Sequence, residues 1–389
     1  MKKNTKLVAV GRKSQYTKGV VNPVVQRAST VVFDSVADMQ EAISERGKRT
    51  LFYGRRGTNT HFALQDAIME LENGAGCALY PSGAAAISQA LLSFLKTGDH
   101  LLMVDTAYEP TRDFCDKILA GLGITTTYYD PLIGADIESL IQDNTKVLFL
   151  ESPGSITMEV QDVPSLVKVA KAKGLITMLD NTYGNGWHYR PLEHGVDISI
   201  QAATKYIVGH SDVMMGVAVA NETLWPTLRE NSYLLGQCTS ADDAYLALRG
   251  LRTMPVRLQQ HEKSALQVAN WLAGHPLVDH VRHPALKSCP GHEFFKRDFS
   301  GSNGLFSVVM KQGHRKAINR FLDSLHHFKM GFSWGGFESL VTANASMAPL
   351  RTTTGWQHGP VIRLHIGLED VEDLIADLEQ ALKVYQESL

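Results

Sequence analysis

Apolar residues follow two rhythms along this chain. Short apolar runs at 77–80, 100–104, 147–150, 175–179 and 196–200 read as strands. Between them, apolar positions recur at helical spacing over 62–71, 84–92 and 163–172. Strands alternating with helices predict α/β architecture, a mostly parallel sheet covered on both faces. In such sheets ligands bind beyond the carboxyl ends of the strands.

Past Gly216 the pattern changes. Residues 231–251 read as largely helical, and a long helix over about 256–272 is expected to link two domains. Residues 300–389 hold separated strands at 305–310 and 361–366 and helices, which suits a smaller α+β domain. Its last helix, 371–385, has Glu369 and Asp370 just ahead of it, where the helix dipole favours acids. Residues 1–60 are polar and irregular apart from a strand-like 30–33. They are too poor in core to fold alone and are expected to lie on another subunit. The expected division is a 1–60 arm contributing to the neighbouring subunit, a 61–251 large domain and a 252–389 C-terminal small domain.

Composition narrows the function more than the fold. The 389 residues carry a formal net charge of −2, which gives no electrostatic reason to expect nucleic acid or an anionic membrane surface. No apolar run is long enough to span a bilayer. The basic start, Lys2-Lys3, lacks the apolar stretch of a secretory signal. Cys77, Cys115, Cys238 and Cys289 are far apart and read as reduced thiols of a cytoplasmic protein. The closest histidine groupings, His326-His327 and His280 with His283, have no third ligand at metal-site spacing, so no metal is expected.

The chemistry gathers at the strand ends. The 196–200 run leads through small residues to Lys205, and the 175–179 run ends on Asp180. Either residue alone reads as a surface lysine or a strand-capping acid. On neighbouring strand ends they suit pyridoxal 5′-phosphate (PLP), where a lysine takes the aldehyde as a Schiff base and a carboxylate holds the pyridine nitrogen protonated. Pro81-Ser82-Gly83 between a strand and the helix beginning at Ala84 forms a phosphate cradle, because free amides and the helix dipole point at an anion there. Tyr108 and Ser152 also fall at strand ends. Tyr53, Arg55 and Arg56 among glycines suit an anion-binding loop and equally a solvated one.

The segments Leu51-Phe52-Tyr53-Gly54-Arg55-Arg56-Gly57-Thr58, Thr106-Ala107-Tyr108-Glu109-Pro110, 151–160, 201–211, 332–340 and Arg363-Leu364-His365-Ile366-Gly367 carry a likeness along the whole chain. By these motifs it resembles the Cys/Met-metabolism PLP-dependent enzymes of fold type I, and within them the β-eliminating branch. That resemblance implies a large domain with a mostly parallel seven-stranded sheet, a smaller α+β domain, a homotetramer built of active dimers, and no nucleic-acid or membrane partner. It implies Lys205 as the Schiff-base lysine, Asp180 at the ring nitrogen and Tyr108 stacked on the ring. Gly83, Ala84 and Thr204 would hold the phosphate, with Tyr53 and Arg55 reaching it from a neighbouring subunit. Arg363 would clamp the substrate carboxylate beside Ser333 and Trp334, with Tyr233 on the pocket wall. Lys205, Tyr108 and Tyr53 are the expected proton carriers. The implied reaction is β-elimination of L-cystathionine or a related cysteine thioether to a thiol, pyruvate and ammonia. A γ-lyase or γ-synthase, or a non-catalytic regulator on the same fold, is the alternative. Ala202-Ala203-Thr204-Lys205 stands where many members have Ser-x-Thr-Lys, and Gly154-Ser155 where an asparagine is common. Residues 181–189 depart from the usual Asn-Thr-Trp-Ala.

Overall fold

The computed structural model describes residues Met1–Leu389. Seven strands form the larger sheet: β1 (Gly76–Tyr80), β2 (His100–Val104), β3 (Thr125–Tyr129), β4 (Thr145–Glu151), β5 (Ile176–Asp180), β6 (Ile198–Gln201) and β7 (Gly216–Ala220). Their spatial order is β1-β7-β6-β5-β4-β2-β3. Only β7 runs antiparallel to its neighbours. The carboxyl ends of β1, β2, β4, β5 and β6 therefore share one edge. Strands β2, β4 and β6 are buried at nearly every position, as a sheet covered on both faces requires. Helices Gly83–Phe94 and Val163–Ala172 close one core over it, while Asn59–Glu72 and the start of Ala241–Ala273 close another on the opposite side.

A second sheet has the order β10-β11-β12-β9-β8, formed by β8 (Val278–Arg282), β9 (Leu305–Met310), β10 (Lys329–Met330), β11 (Leu340–Asn344) and β12 (Val361–His365). The far end of Ala241–Ala273, with Arg315–Ser324 and Val371–Gln386, packs Val268, Leu272, Phe321, Leu378 and Tyr385 against it.

Three expectations are corrected. The first is the irregular N-terminal segment. It holds helices Lys3–Ala9, Ser14–Thr17 and Val36–Glu45, of which the first two bury Leu7 and Tyr16 in the core beside Phe62 and Leu64. Those two side chains gain apolar partners from distant sequence, which local composition does not reveal. The second is the strand at 30–33. It forms no ladder, and Val32 is 85% exposed. β-Branched residues favour extended backbone, but a strand exists only with a partner. The third is the long helix. It begins at Ala241, not near 256, and runs unbroken through Pro255. Proline removes one helical amide and usually ends or kinks a helix. The amide lost here is the one that would pair with the Leu251 carbonyl; nearby, the Arg257 guanidinium donates to the Gly250 carbonyl at 2.8 Å and to Tyr206 O at 2.8 Å, tying the helix to the lysine loop. The expected 251/252 border therefore lies inside one continuous helix. Sequence reading also missed β3, β7, β8, β10 and β11, all but β3 beyond the regular βαβ stretch.

Candidate active site

Both sheets feed side chains into one cavity of about 360 Å³. Strands β1, β4, β5 and β6 and the turn after β2 bring Gly83, Ala84, Glu151, Asp180, Thr204, Lys205 and Tyr108 to it, while the smaller sheet supplies Ser333, Trp334 and Arg363. Paired registers fix the spacing: Glu151 lies opposite Asp180, and Asp180 opposite Ile200.

Thr182 ties the two central strand ends together. Its hydroxyl donates to Asp180 Oδ1 at 2.5 Å and accepts from Ala202 N at 2.9 Å, and its own amide donates to the same carboxylate oxygen at 2.9 Å. Burial pushes the Asp180 carboxyl above its usual range, while the Thr182 bonds and the Lys205 charge pull it back. Oδ1 is held from behind, and Asp180 lines the cavity.

Lys205 Nζ donates to Ser333 Oγ at 2.8 Å and lies 5.5 Å from the Trp334 ring centroid. Burial, then the Arg363 charge, lower its amine to about 8, against the opposing pull of Asp180. A mostly buried lysine kept near neutrality is a nucleophile and a base. Gly335 follows the tryptophan at φ +86, and a Cβ there would stand 3.0 Å from the Lys205 carbonyl carbon. The Ser333-Trp334 turn therefore lies directly on the lysine.

Arg363 reaches no carboxylate. Its only hydrogen bond within the chain is a long one, from Nη2 to Ser333 O at 3.4 Å, and none of the chain's ion pairs includes it. Burial lowers its pKa. An unpaired guanidinium inside a cavity is a site for a ligand carboxylate.

On the opposite wall the helix Gly83–Phe94 opens with Ser82, whose hydroxyl accepts from Ala85 N at 3.1 Å. The Gly83 and Ala84 amides precede the first helical bond, from Ala86 N to Ser82 O, and are free to hold an anion. A Cβ on Gly83 would come within 2.6 Å of Ala202 Cβ, so this cradle requires glycine. Thr204 lines the cavity, but its hydroxyl already donates to Met215 O at 3.1 Å. Tyr108 is 45% exposed over the cavity, with its amide held by Glu151 Oε2 at 2.8 Å. Burial, and next to it the charge of Asp180, push the Glu151 carboxyl well above the usual range.

Four residues singled out in the sequence do not line this cavity. Arg55 donates to Tyr233 O, and both line a separate depression with Arg56, whose guanidinium carbon stacks 4.2 Å from the Tyr233 ring centroid. Tyr53 is 45% exposed and does not line the Lys205 cavity. Tyr233 therefore does not line this cavity in its own chain; its helix, Trp225–Leu234, packs against β1 and the helix Gly83–Phe94. Ser152 is buried and accepts from Gln161 N at 3.0 Å, away from the cavity. Sequence reading missed Thr182, Glu151, Met158, Tyr183, Met214 and Leu305. Thr182 and Glu151 had a signal, one a hydroxyl two residues past Asp180 and the other an acid closing β4; Met158, Tyr183 and Met214 come from loops, and Leu305 opens β9 of the other sheet.

The parallel sheet with lysine and aspartate on adjacent strand ends, facing a helix N-terminus, defines a PLP-dependent enzyme of fold type I. The cavity has an amine for the aldehyde, an acid for the ring nitrogen, a ring to stack and amides for the phosphate, so its residues fit PLP. Residues 4–383 match the family described as Cys/Met metabolism PLP-dependent enzyme, and the chain belongs to that family. It is 56% identical over 384 residues to "Cystathionine beta-lyase MetC" of Escherichia coli (strain K12), covering 97% of each chain. It is 54% identical over 382 residues to "Cystathionine beta-lyase" of Haemophilus influenzae, covering 97% of this chain and 96% of that one. Among solved structures, a cystathionine gamma synthase from Xanthomonas oryzae pv. oryzae superposes with a TM-score of 0.91 at 31% identity, over 100% of both chains.

Proposed function

We propose that this protein is a carbon–sulfur lyase that converts L-cystathionine and water to homocysteine, pyruvate and ammonia by β-elimination. Arg363, a buried guanidinium with no carboxylate partner in the cavity that holds Lys205, carries this reading. The full-length relatives named as cystathionine beta-lyases support the choice of bond.

PLP, when bound, supplies an electron sink conjugated to the substrate Cα. The chain's own groups do the rest. Arg363 takes the substrate carboxylate, bidentately by preference, and so fixes which face of Cα meets Lys205. Ser333 holds the Lys205 amine at 2.8 Å and gives the base one direction. Lys205, lowered to about 8, removes the Cα proton near neutral pH. The same amine, or the Tyr108 hydroxyl, returns a proton to the sulfur as the Cβ–S bond breaks. Asp180 would hold the ring-nitrogen proton, and Gly83 and Ala84 the phosphate. Thr204 joins them once its hydroxyl turns from Met215 O. Trp334 narrows the cavity beside the lysine, which favours the cysteine half of cystathionine and deprotonation at Cα alone.

Tyr53 and Arg55 then act on a neighbouring subunit's site, within a homotetramer of active dimers. Their distance from the cavity of their own chain is consistent with this, and Tyr233 belongs with them at that border rather than on the substrate wall. We retain the division into a 1–60 arm, a large domain and a small domain joined within the helix Ala241–Ala273. No helix is long and apolar enough to cross a membrane, and the four cysteines are unpaired, consistent with work in the cytoplasm.

Mass spectrometry of the keto acid from L-cystathionine tests the reaction. Pyruvate with homocysteine is expected; 2-oxobutyrate with cysteine would make the enzyme a γ-lyase. Borohydride reduction should fix the phosphopyridoxyl group on Lys205, and the label on another lysine would overturn the site. Mixing Arg55→Ala and Lys205→Ala chains should restore activity by subunit exchange; no recovery after proven exchange refutes shared sites.

A further inference from the structure

One convergence of side chains takes no part in the cavity. Consecutive residues of a regular strand point to opposite faces. In β8 the pairing with β9 shifts between Val278 and His280, and a bulge of this kind re-aims a side chain. Asp279 Oδ2 consequently stands 2.8 Å from His280 Nδ1. The segment between β11 and β12 then delivers His358, whose ring centroid is 5.2 Å from that of His280. One donor atom from each residue lies within 4.8 Å of the others. The turn carrying His358 is itself held, since Trp356 Nε1 donates to Gly359 O at 3.0 Å and its ring meets His358 edge-on at 4.9 Å. This third ligand, 78 residues from His280, is what sequence spacing could not supply.

We propose that Asp279, His280 and His358 form a binding site for a divalent transition metal of the zinc class, clipping the 345–360 segment onto β8. Two imidazoles and one carboxylate are the donor set such ions take, with waters completing the shell. Bonds of about 2.0–2.2 Å hold ligand atoms closer together than that 4.8 Å limit, so the exposed His358 swings toward the other two when the ion binds. His280 Nε2 accepts from Arg282 Nε at 3.1 Å, which leaves the ring proton on Nδ1, toward Asp279. When the metal takes Nδ1, that proton moves to Nε2 and Arg282 gives up this contact. No net proton is released. Arg282 keeps its ion pair with Glu159 at 2.7 Å, so its charge stays balanced next to the cation. Hard oxygen-seeking ions such as Mg²⁺ are poorly served by two imidazoles. The clipped segment includes Arg351, which donates to Ser155 O at 3.0 Å on the cavity rim, so the clip reinforces an existing tie.

The test uses the PLP-loaded enzyme after chelator dialysis, with Cys238→Ser in every arm because that thiol is exposed and binds soft metals. Calorimetric titration with ZnCl₂ should give one equivalent per chain, and His358→Ala should weaken binding by more than about tenfold. MgCl₂ should give no binding. Saturating zinc should raise the thermal midpoint by a few degrees, and His280→Ala should abolish the rise while cofactor absorbance is unchanged. Unchanged zinc affinity and stoichiometry in both histidine variants, or no zinc binding by the intact site, overturns the proposal.

Discussion

Thr182→Val removes one oxygen from the hinge between the two strands that carry the cofactor residues, and keeps the β-branched shape. Two hydrogen bonds go with that oxygen. The 2.5 Å bond to the Asp180 carboxylate is charge-assisted, a class that contributes about 1.5–3 kcal/mol. The 2.9 Å bond from Ala202 N leaves a half-buried amide unpaired, at about 1–3 kcal/mol. Both losses share one hydroxyl and will not add fully, so we expect the apo-protein to lose about 2–4 kcal/mol at neutral pH. The loss should depend on pH in a known direction. Asp180 is held above its unfolded value, so its ionised form disfavours folding at any pH above that value, about 3.9. Without the Thr182 hydroxyl the carboxyl rises further and this penalty grows, then vanishes once acid protonates the group in both states. The gap between wild type and variant should therefore shrink as pH falls from 7 toward 4. Urea unfolding of both apo-proteins across that range measures it, and cofactor titration should show weaker PLP binding by the variant. A gap of equal size at pH 7 and pH 4, together with unchanged cofactor affinity, would refute the coupling of Asp180 to Ala202 through Thr182.

Further outcomes follow from single contacts. Arg363→Lys keeps the charge but loses the planar fork, so kcat/KM for L-cystathionine should fall by about tenfold or more, mainly through KM, in a pyruvate-release assay. Gly83→Ala sets a methyl 2.6 Å from Ala202 Cβ, and fluorescence titration should show weaker PLP binding. In the apo-protein Lys205 titrates near 8 rather than 10.5, so its modification by an amine-selective reagent should rise through pH 8, neutral amine being the reactive form; a midpoint above 10 would contradict the lowered pKa.

The βαβ half of the fold was legible because its strands are buried on both faces and its helices on one, so each announces its own period. Lys205, Asp180, Gly83 and Tyr108 were legible for a related reason: a parallel sheet collects its ligands at the strand ends, and residues just past an apolar run need no tertiary knowledge to be placed there. Ser333, Trp334 and Arg363 were not. They sit on the other sheet, and only family likeness brought them into the expected site.

Local periodicity and strand-end position thus determined five of the seven strands of the large sheet, the lysine–aspartate pair and the phosphate turn, because each depends on a few neighbouring residues. The tertiary structure alone decided which lone groups meet. It carried one helix unbroken through Pro255, with the Arg257 guanidinium tying that helix to the lysine loop at Tyr206 O. It left residues 30–33 without a strand partner and set Tyr233 with Arg55 and Arg56 in a separate depression instead of in the cavity. It also brought His358 to Asp279 and His280 through a β-bulge. Each of these rests on contacts between residues far apart in the chain, whose energies no local pattern records.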